Sequence, residues 1–172
     1  MTFIARYRDG SGGINGLNGA TDVVVSPDGA HVYAVGEQDH AIAVFNRDAA
    51  TGALTFVEAQ FDGVGGVDGL FFPQAVEVSP DGNFVYATGR SDQAIALFER
   101  NATTGALTFV EVYKNGVNGV NGLNGVRDVL VSADGASLYV ASSGGGSSAS
   151  KNIAQFSRNL STGQLAYQNN YV

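Results

Sequence analysis

The sequence contains no cysteine, which excludes disulfides, thiolate chemistry and zinc–thiolate sites. Histidine is nearly absent, with His31 and His40 alone. A site built on several imidazoles is therefore excluded. Basic side chains number 9 against 16 acidic ones, a formal charge of −7. Nucleic-acid binding needs a basic face, so no nucleic-acid partner is expected. No apolar run approaches the roughly 20 residues of a membrane-spanning helix, so no membrane partner is expected either. The start, MTFIARYRDG, lacks a basic segment followed by an apolar one, so no signal peptide is visible and the cytoplasm is the default expectation. No stretch sustains a 3.6-residue apolar period, which predicts almost no helix.

What is abundant is glycine, with 24 residues against 3 prolines in a chain of 172. Hydrophobic residues reach 44%, too many for a disordered acidic tail. The length fits one or two domains and can bury a substantial core.

The chain repeats itself. SPDG stands at 26–29 and 79–82, and SADG at 132–135, each 53 residues after the last. TGALTFVE occurs at 51–58 and 104–111 with the same spacing. MTFI at 1–4 matches LTFV at 54–57. The third TG element, at 162–165, arrives late because of a Gly/Ser insertion, SSGGGSSASKN at 142–152.

Each repeat holds four runs of β-branched and aromatic residues bounded by turn signals. In the first they are 21–26, 31–36, 41–47 and 54–61. Pro27 presets φ and Asp28-Gly29 tolerates positive φ, which predicts a two-residue reversal. The first two runs are apolar on both faces and the fourth alternates, as for a buried inner and a wetter outer strand. Four antiparallel strands per repeat of this length predict a β-propeller blade. The predicted units are an outer strand and Gly-rich loop over 1–19, then blades over 20–72, 73–125 and 126–172.

The segments VVVSPDGAHVYAVG, VEVSPDGNFVYATG and VLVSADGASLYVAS resemble the repeats of lactonase-like, YVTN-type β-propellers. The resemblance covers essentially the whole chain. It implies the propeller fold. It is unspecific for function, because the group includes sugar-lactone hydrolases, muconate-lactonising enzymes, surface-layer repeats and proteins with no assigned activity. The enzymes of that group resemble single chains of seven blades, whereas this sequence supplies about three. No catalytic residue carries over, because the matching positions are turn and strand residues.

Three blades do not make a ring, and an open stack exposes apolar faces. Cyclic homo-oligomers, dimers above all, are the commonest way to cover such faces. The expected partner is a second copy closing a six-bladed ring; three chains, or a longer array, are the alternatives. Residues 1–8 read as a fourth-type strand, so they are expected to pair in trans, with the weaker candidate QLAYQNNYV at 164–172 displaced.

In such propellers two sets of loops gather around the channel mouth. The first set is Gly-rich, at 9–22, 62–74 and 115–128. The second comprises GEQDH at 36–40, GRSDQ at 89–93 and the insertion. A polar ligand site built from these loops would use Asp22, Asp39, His40, Gln74, Arg90, Asp92, Arg127 and Asp128. The competing reading is that Gly, Asn and Asp merely shape tight turns. Calcium is the one ion these Asp/Asn-Gly loops could hold, and GG-x-D at 65–68 echoes a calcium repeat. The twelve-residue calcium-loop pattern is absent, so no cofactor is expected. Phe71-Phe72 interrupts the second loop and reads as a plug between blades. His31 reads as a packing or edge position. The expected role is an interaction or scaffold module that self-associates, with a lactonase-like hydrolase as the alternative.

Overall fold

The computed structural model describes residues 4–144 and 151–172. Twelve strands and no helix lie within them. The first blade is β1 (Ala20–Val25), β2 (His31–Gly36), β3 (Ala41–Arg47) and β4 (Leu54–Phe61). The second is β5 (Pro73–Val78), β6 (Phe84–Gly89), β7 (Ala94–Arg100) and β8 (Leu107–Lys114). The third is β9 (Val126–Val131), β10 (Ser137–Ser142), β11 (Asn152–Arg158) and β12 (Leu165–Tyr171). Each blade is a four-stranded sheet in sequence order, with antiparallel pairing throughout. First strands of successive blades pack side by side, β1 on β5 and β5 on β9, so they surround a common axis.

Burial peaks in the second and third strands rather than in the first two. Both β2 and β6 are buried along their whole length, and β3 and β7 along their first five residues. The reason is positional: middle strands are flanked on both sides within their own sheet, and in the first blade Ile14 and Leu17 of the preceding loop pack on Val32, Ala43 and Phe45, whereas Val23 and Val25 of β1 stand exposed at the open end. The predicted two-residue reversal is also longer than expected. Residues 26–30 separate β1 from β2, closed by the Ser26 N–H donating to the His31 carbonyl at 2.9 Å. The wide loops share one solution. Leu17, Leu70 and Leu123 each donate their N–H to the side-chain oxygen of Asp9, Asp62 or Asn115 at 3.0–3.1 Å. Leu70 and Leu123 are fully buried, so leucine, not the Phe71-Phe72 pair, plugs the gap.

The C-terminal stretch is not displaced. β12 pairs with β11 through Leu165–Tyr171 and completes the third blade. Backbone pairing needs no match of side chains, so the weak repeat of QLAYQNNY was no obstacle. At the other end, residues 4–8 form no strand, and residues 1–3 of the expected outer strand lie outside the described residues. The Tyr7 hydroxyl accepts the Leu54 N–H at 2.6 Å. One blade further on, Tyr113 of β8 accepts the Leu165 N–H in the same way at 2.9 Å. The N-terminal segment thus lies against the first blade where the outer strand of a preceding blade would lie.

Blades are fastened to each other by a buried polar clamp that recurs at every junction. At the first junction, Arg100 donates to Asp28 at 2.7 Å, to the Tyr33 hydroxyl at 2.8 Å and to the Gly82 carbonyl at 2.8 Å. The Tyr33 hydroxyl in turn donates to the Gly105 carbonyl at 2.9 Å. At the second junction, Arg158 reaches Asp81 at 2.6 Å, Tyr86 at 2.8 Å and the Gly135 carbonyl at 3.1 Å. There Tyr86 donates to Gly163 at 2.6 Å. Both arginine side chains are buried, and each guanidinium nitrogen has a hydrogen-bond partner, which a buried cation requires. Burial pushes the two tyrosine hydroxyls up to about 12.

His31 joins only the first clamp; Phe84 takes its place in the second. Its Nδ1 accepts from Arg100 at 2.6 Å, so the ring is neutral. Burial and the neighbouring guanidinium hold its pKa below the ordinary value. The unfolded chain therefore takes up a proton first, and stability is lost as pH falls below about 6.5. Phe84 packs under Arg158, 5.2 Å from the guanidinium carbon to the ring centre, so phenylalanine fits such a site. His31→Phe is expected to fold and to remove this slope. The check is thermal melting of both proteins between pH 7 and 5, and equal slopes would contradict the assignment.

Candidate functional site at the channel mouth

The two predicted loop sets do converge. They enclose a groove of about 410 Å³ lined by Glu37, Phe72, Arg90, Ser91, Asn124, Gly125 and Gly144. A polar chain crosses all three blades beside it. Arg127 donates to Gln74 at 3.2 Å, and Gln74 donates to Glu37 at 3.1 Å. Arg127 also reaches the Ser143 hydroxyl at 3.2 Å. Gln74 and Arg127 hold the same position of successive repeats, at the start of β5 and β9, so the ring geometry aligns them. Arg90 and Ser143 likewise repeat the position of Glu37, in the turn after the second strand. The Arg90 guanidinium has no hydrogen-bond or ion-pair partner among the described residues.

Phe72 sits at this mouth under strain. Its φ is +57°, a region costly for a bulky side chain. The corresponding positions of the other two loops are Gly19 and Gly125, at φ +69° and +68°. The Phe72 N–H donates to His40 Nδ1 at 3.2 Å, and the His40 ring packs against Phe71 and Phe72 at 4.4 and 4.7 Å. His40 is itself at φ +54°. The aromatic pair is thus a surface of the mouth, with Phe71 40% exposed.

The remaining predicted residues divide into two groups. Asp39 and Asp92 shape loops: each accepts a backbone N–H, from Asn18 and Phe71 respectively, at 2.9 Å. Asp22 and Asp128 lie on first strands facing the axis. Asp22 caps its neighbour Val23 and reaches across to the Val76 N–H at 2.9 Å, stitching two blades together. Asp128 caps Val129 at 2.9 Å. Between them stands Glu77, whose pKa is raised by burial and by the charges of Asp22 and Asp128. Glu77 and Glu37 were missed in the sequence. The signal for Glu77 is a carboxylate where the sister strands carry Val24 and Leu130.

Asp62 and Asp68, on the loop that carries the calcium-like fragment, and Asp92, in the turn after β6, bring carboxylate oxygens within 4.8 Å of one another. Lys114 already supplies positive charge there, donating to Asp68 at 2.8 Å. Asp62 and Asp92 spend an oxygen each on the Leu70 and Phe71 N–H groups. The donor set is that of a loop brace. Near the outer part of the third blade, a polar cavity of about 300 Å³ is lined by five asparagines. The buried Ser142 hydroxyl and Asn170 Oδ1 beside it have no protein partner among the described residues, as at a hydrated site.

No helix among the described residues is long and apolar enough to cross a membrane. A comparison with curated proteins found no match. Solved structures share the fold. A periplasmic gluconolactonase of Pseudomonas aeruginosa is 23% identical, with a TM-score of 0.71 over 88% of this chain and 39% of its own. A Lactobacillus plantarum protein is 24% identical, with a TM-score of 0.71 over 90% of this chain and 42% of its own. A Bacteroides uniformis protein provisionally assigned as a 6-phosphogluconolactonase is 22% identical, with a TM-score of 0.70 over 88% and 40%. This chain spans about two fifths of each of those propellers. The model of the lactonase, seven-bladed β-propeller family matches residues 4–120, more than half of the chain, and the chain belongs to that family.

Proposed function

We propose that the chain supplies three blades of a lactone-hydrolysing propeller, with the channel-mouth groove as the substrate-contacting surface. Family membership supports the reaction class, and with it the hydrolase reading rather than the scaffold reading. The observation that carries the site is the placement of Glu37 and Arg90 on one groove, with Arg127 linked to Glu37 through Gln74 beside it. Lactone hydrolysis adds water to the ring carbonyl and then breaks the acyl–oxygen bond, releasing a hydroxy acid. Arg90 and Arg127 would hold the oxyanion and the product carboxylate, a task suited to a planar, permanently charged fork. Glu37 would take the proton of the attacking water and return it to the leaving ring oxygen. Gln74, hydrogen-bonded to Glu37 and Arg127, would fix the spacing between base and cation.

The test is acid release from glucono-1,5-lactone, followed in a pH-stat. Wild type should exceed the uncatalysed rate and saturate. Glu37→Gln should lower kcat by about 10²–10⁴, the usual share of a general base. Arg90→Ala should raise KM more than it lowers kcat. A wild-type rate equal to buffer, or an unchanged Glu37→Gln, would reject the assignment.

A further inference from the structure

The clamp is complete at both internal junctions, and its two halves stand open at the two ends. At the leading end, Arg47 occupies the position of Arg100 and Arg158. It donates to its own Gly29 carbonyl at 3.0 Å, as its counterparts do to Gly82 and Gly135, but forms no hydrogen bond or ion pair with an aspartate or tyrosine among the described residues. At the trailing end, Asp134 and Tyr139 occupy the positions of the Asp28–Tyr33 and Asp81–Tyr86 pairs. Asp134 Oδ1 accepts from the Ser132 hydroxyl and the Ala136 N–H, as the matching Oδ1 atoms do. Its Oδ2, the atom that takes an arginine elsewhere, has no partner among the described residues.

The apolar surface says the same. Val76 and Val129 are 3% and 5% exposed where a blade precedes them; Val23, at the same position of the leading blade, is 62% exposed. Ile42 and Ile95 are fully buried where a blade follows; Ile153, at the matching trailing position, is 48% exposed. Leu130 is 58% exposed on that same face. The leading face holds an apolar groove of about 460 Å³ lined by Val23, Val25, Val32 and Leu54, with Ile4 and Tyr7 at its edge. One end offers a cation and a valine ridge; the other offers a carboxylate, a phenol and an aliphatic ridge.

We propose that a second copy of this chain docks head to tail, its Asp134 and Tyr139 closing on Arg47 and the Gly52 carbonyl as a third instance of the clamp. With twofold symmetry the same contact forms twice. Charge complementarity and continuity with the two internal junctions favour this occupant. The contact makes one demand. Tyr171 holds the position of Tyr113 in the third blade, so the partner's Tyr171 falls where Tyr7 now accepts Leu54. Residues 4–8 therefore leave the groove on docking.

Two charge reversals test it, Arg47→Asp and Asp134→Arg, each in the full chain, with mass read by light scattering after gel filtration. Each variant alone juxtaposes like charges at both contacts, and its dimer dissociation constant should rise at least about tenfold. An equimolar mixture restores one Asp–Arg pair at each contact and should recover the dimer. Circular dichroism checks that each variant folds. If either does not, Leu130→Arg, at an exposed position outside the clamp, should abolish the dimer and keep the fold. A monomeric wild type, single variants that dimerise as tightly as wild type, or a mixture that stays monomeric would each overturn the proposal. Lactone hydrolysis is read separately, so failure of either leaves the other standing.

Discussion

Asp28→Asn is expected to cost about 2–3 kcal/mol of stability. The substitution keeps the shape of the turn and removes one charge. Arg100 would then be a buried cation with no counter-charge, a situation that costs roughly 3–5 kcal/mol when both partners are buried. Asp28 is 42% exposed at its side chain while Arg100 is 1%, so water screens part of the effect and the lower figure applies. For a chain of this size about 2–4 °C of Tm follows each kcal/mol, giving a drop of roughly 4–12 °C. Asp134→Asn is the matched control: the same turn, the same Ser and Ala donors, no arginine. In dilute solution its effect should stay within about 0.5 kcal/mol. Acid should act on the same contact. Burial alone would raise the Asp28 pKa, but hydrogen bonds from Ser26, the Ala30 N–H and Arg100 outweigh it and hold it well below the usual carboxylate range. The stabilisation is present above about pH 4 and lost as pH falls toward the folded-state value. Melting curves of the two variants against wild type at neutral and acid pH check both statements, and equal losses for the two variants would contradict them.

Gly89→Ala is expected to destabilise by about 3 kcal/mol, the upper end for overpacking. A Cβ placed at Gly89 would lie 2.2 Å from the Gly69 carbonyl oxygen and 2.8 Å from its carbon. The obstacle is backbone, so no rotamer change relieves it. Gly36 meets Gly16 in the same way at 2.4 Å, so the close approach of loop to strand is built into the first two blades. The loop that must yield carries Leu70, the buried plug, and Phe72, held at positive φ beside the groove. The lactone hydrolysis proposed for that groove should therefore fall together with Tm. Gly63→Ala separates sterics from backbone preference: its φ is +73° with nothing within 4 Å of a Cβ, and about 1–2 kcal/mol is expected from the left-handed conformation alone. Chemical denaturation of the two variants gives the comparison. A Gly89→Ala loss no larger than that of Gly63→Ala would show that the loop moves freely.

Strands and blades were legible because the 53-residue repeat marks turns and apolar runs at fixed offsets, and both are local. The clamp was written at equally fixed offsets, Asp28, Tyr33 and Arg47 in one repeat and their equivalents in the next. It escaped notice because its bonds run between repeats, from residue 28 to residue 100, and an Asp in SPDG already explains itself as a turn former. The channel-mouth loops were identified from topology, and Arg90 lines the groove they form, with Gln74 and Arg127 beside it. Asp39 and Asp92 each accept a backbone N–H of a neighbouring loop. Glu37 lies inside the GEQDH loop with Asp39 and His40, and the hydrogen bond from Gln74, 37 residues away, distinguishes it from them. Phe71-Phe72 looked like a plug because apolar residues in a Gly loop suggest burial. The backbone turn instead buries Leu70 and turns both rings toward His40.

The mass of the wild-type chain in solution, measured by light scattering across a dilution series, tests most directly whether a blade junction is one clamp wherever it forms. Two complementary open faces predict a particle of twice the 17.7 kDa chain mass, giving way to the single chain on dilution. A particle that stays at 17.7 kDa at every concentration would contradict it, because Arg47 and Asp134 would then be matching halves that do not join.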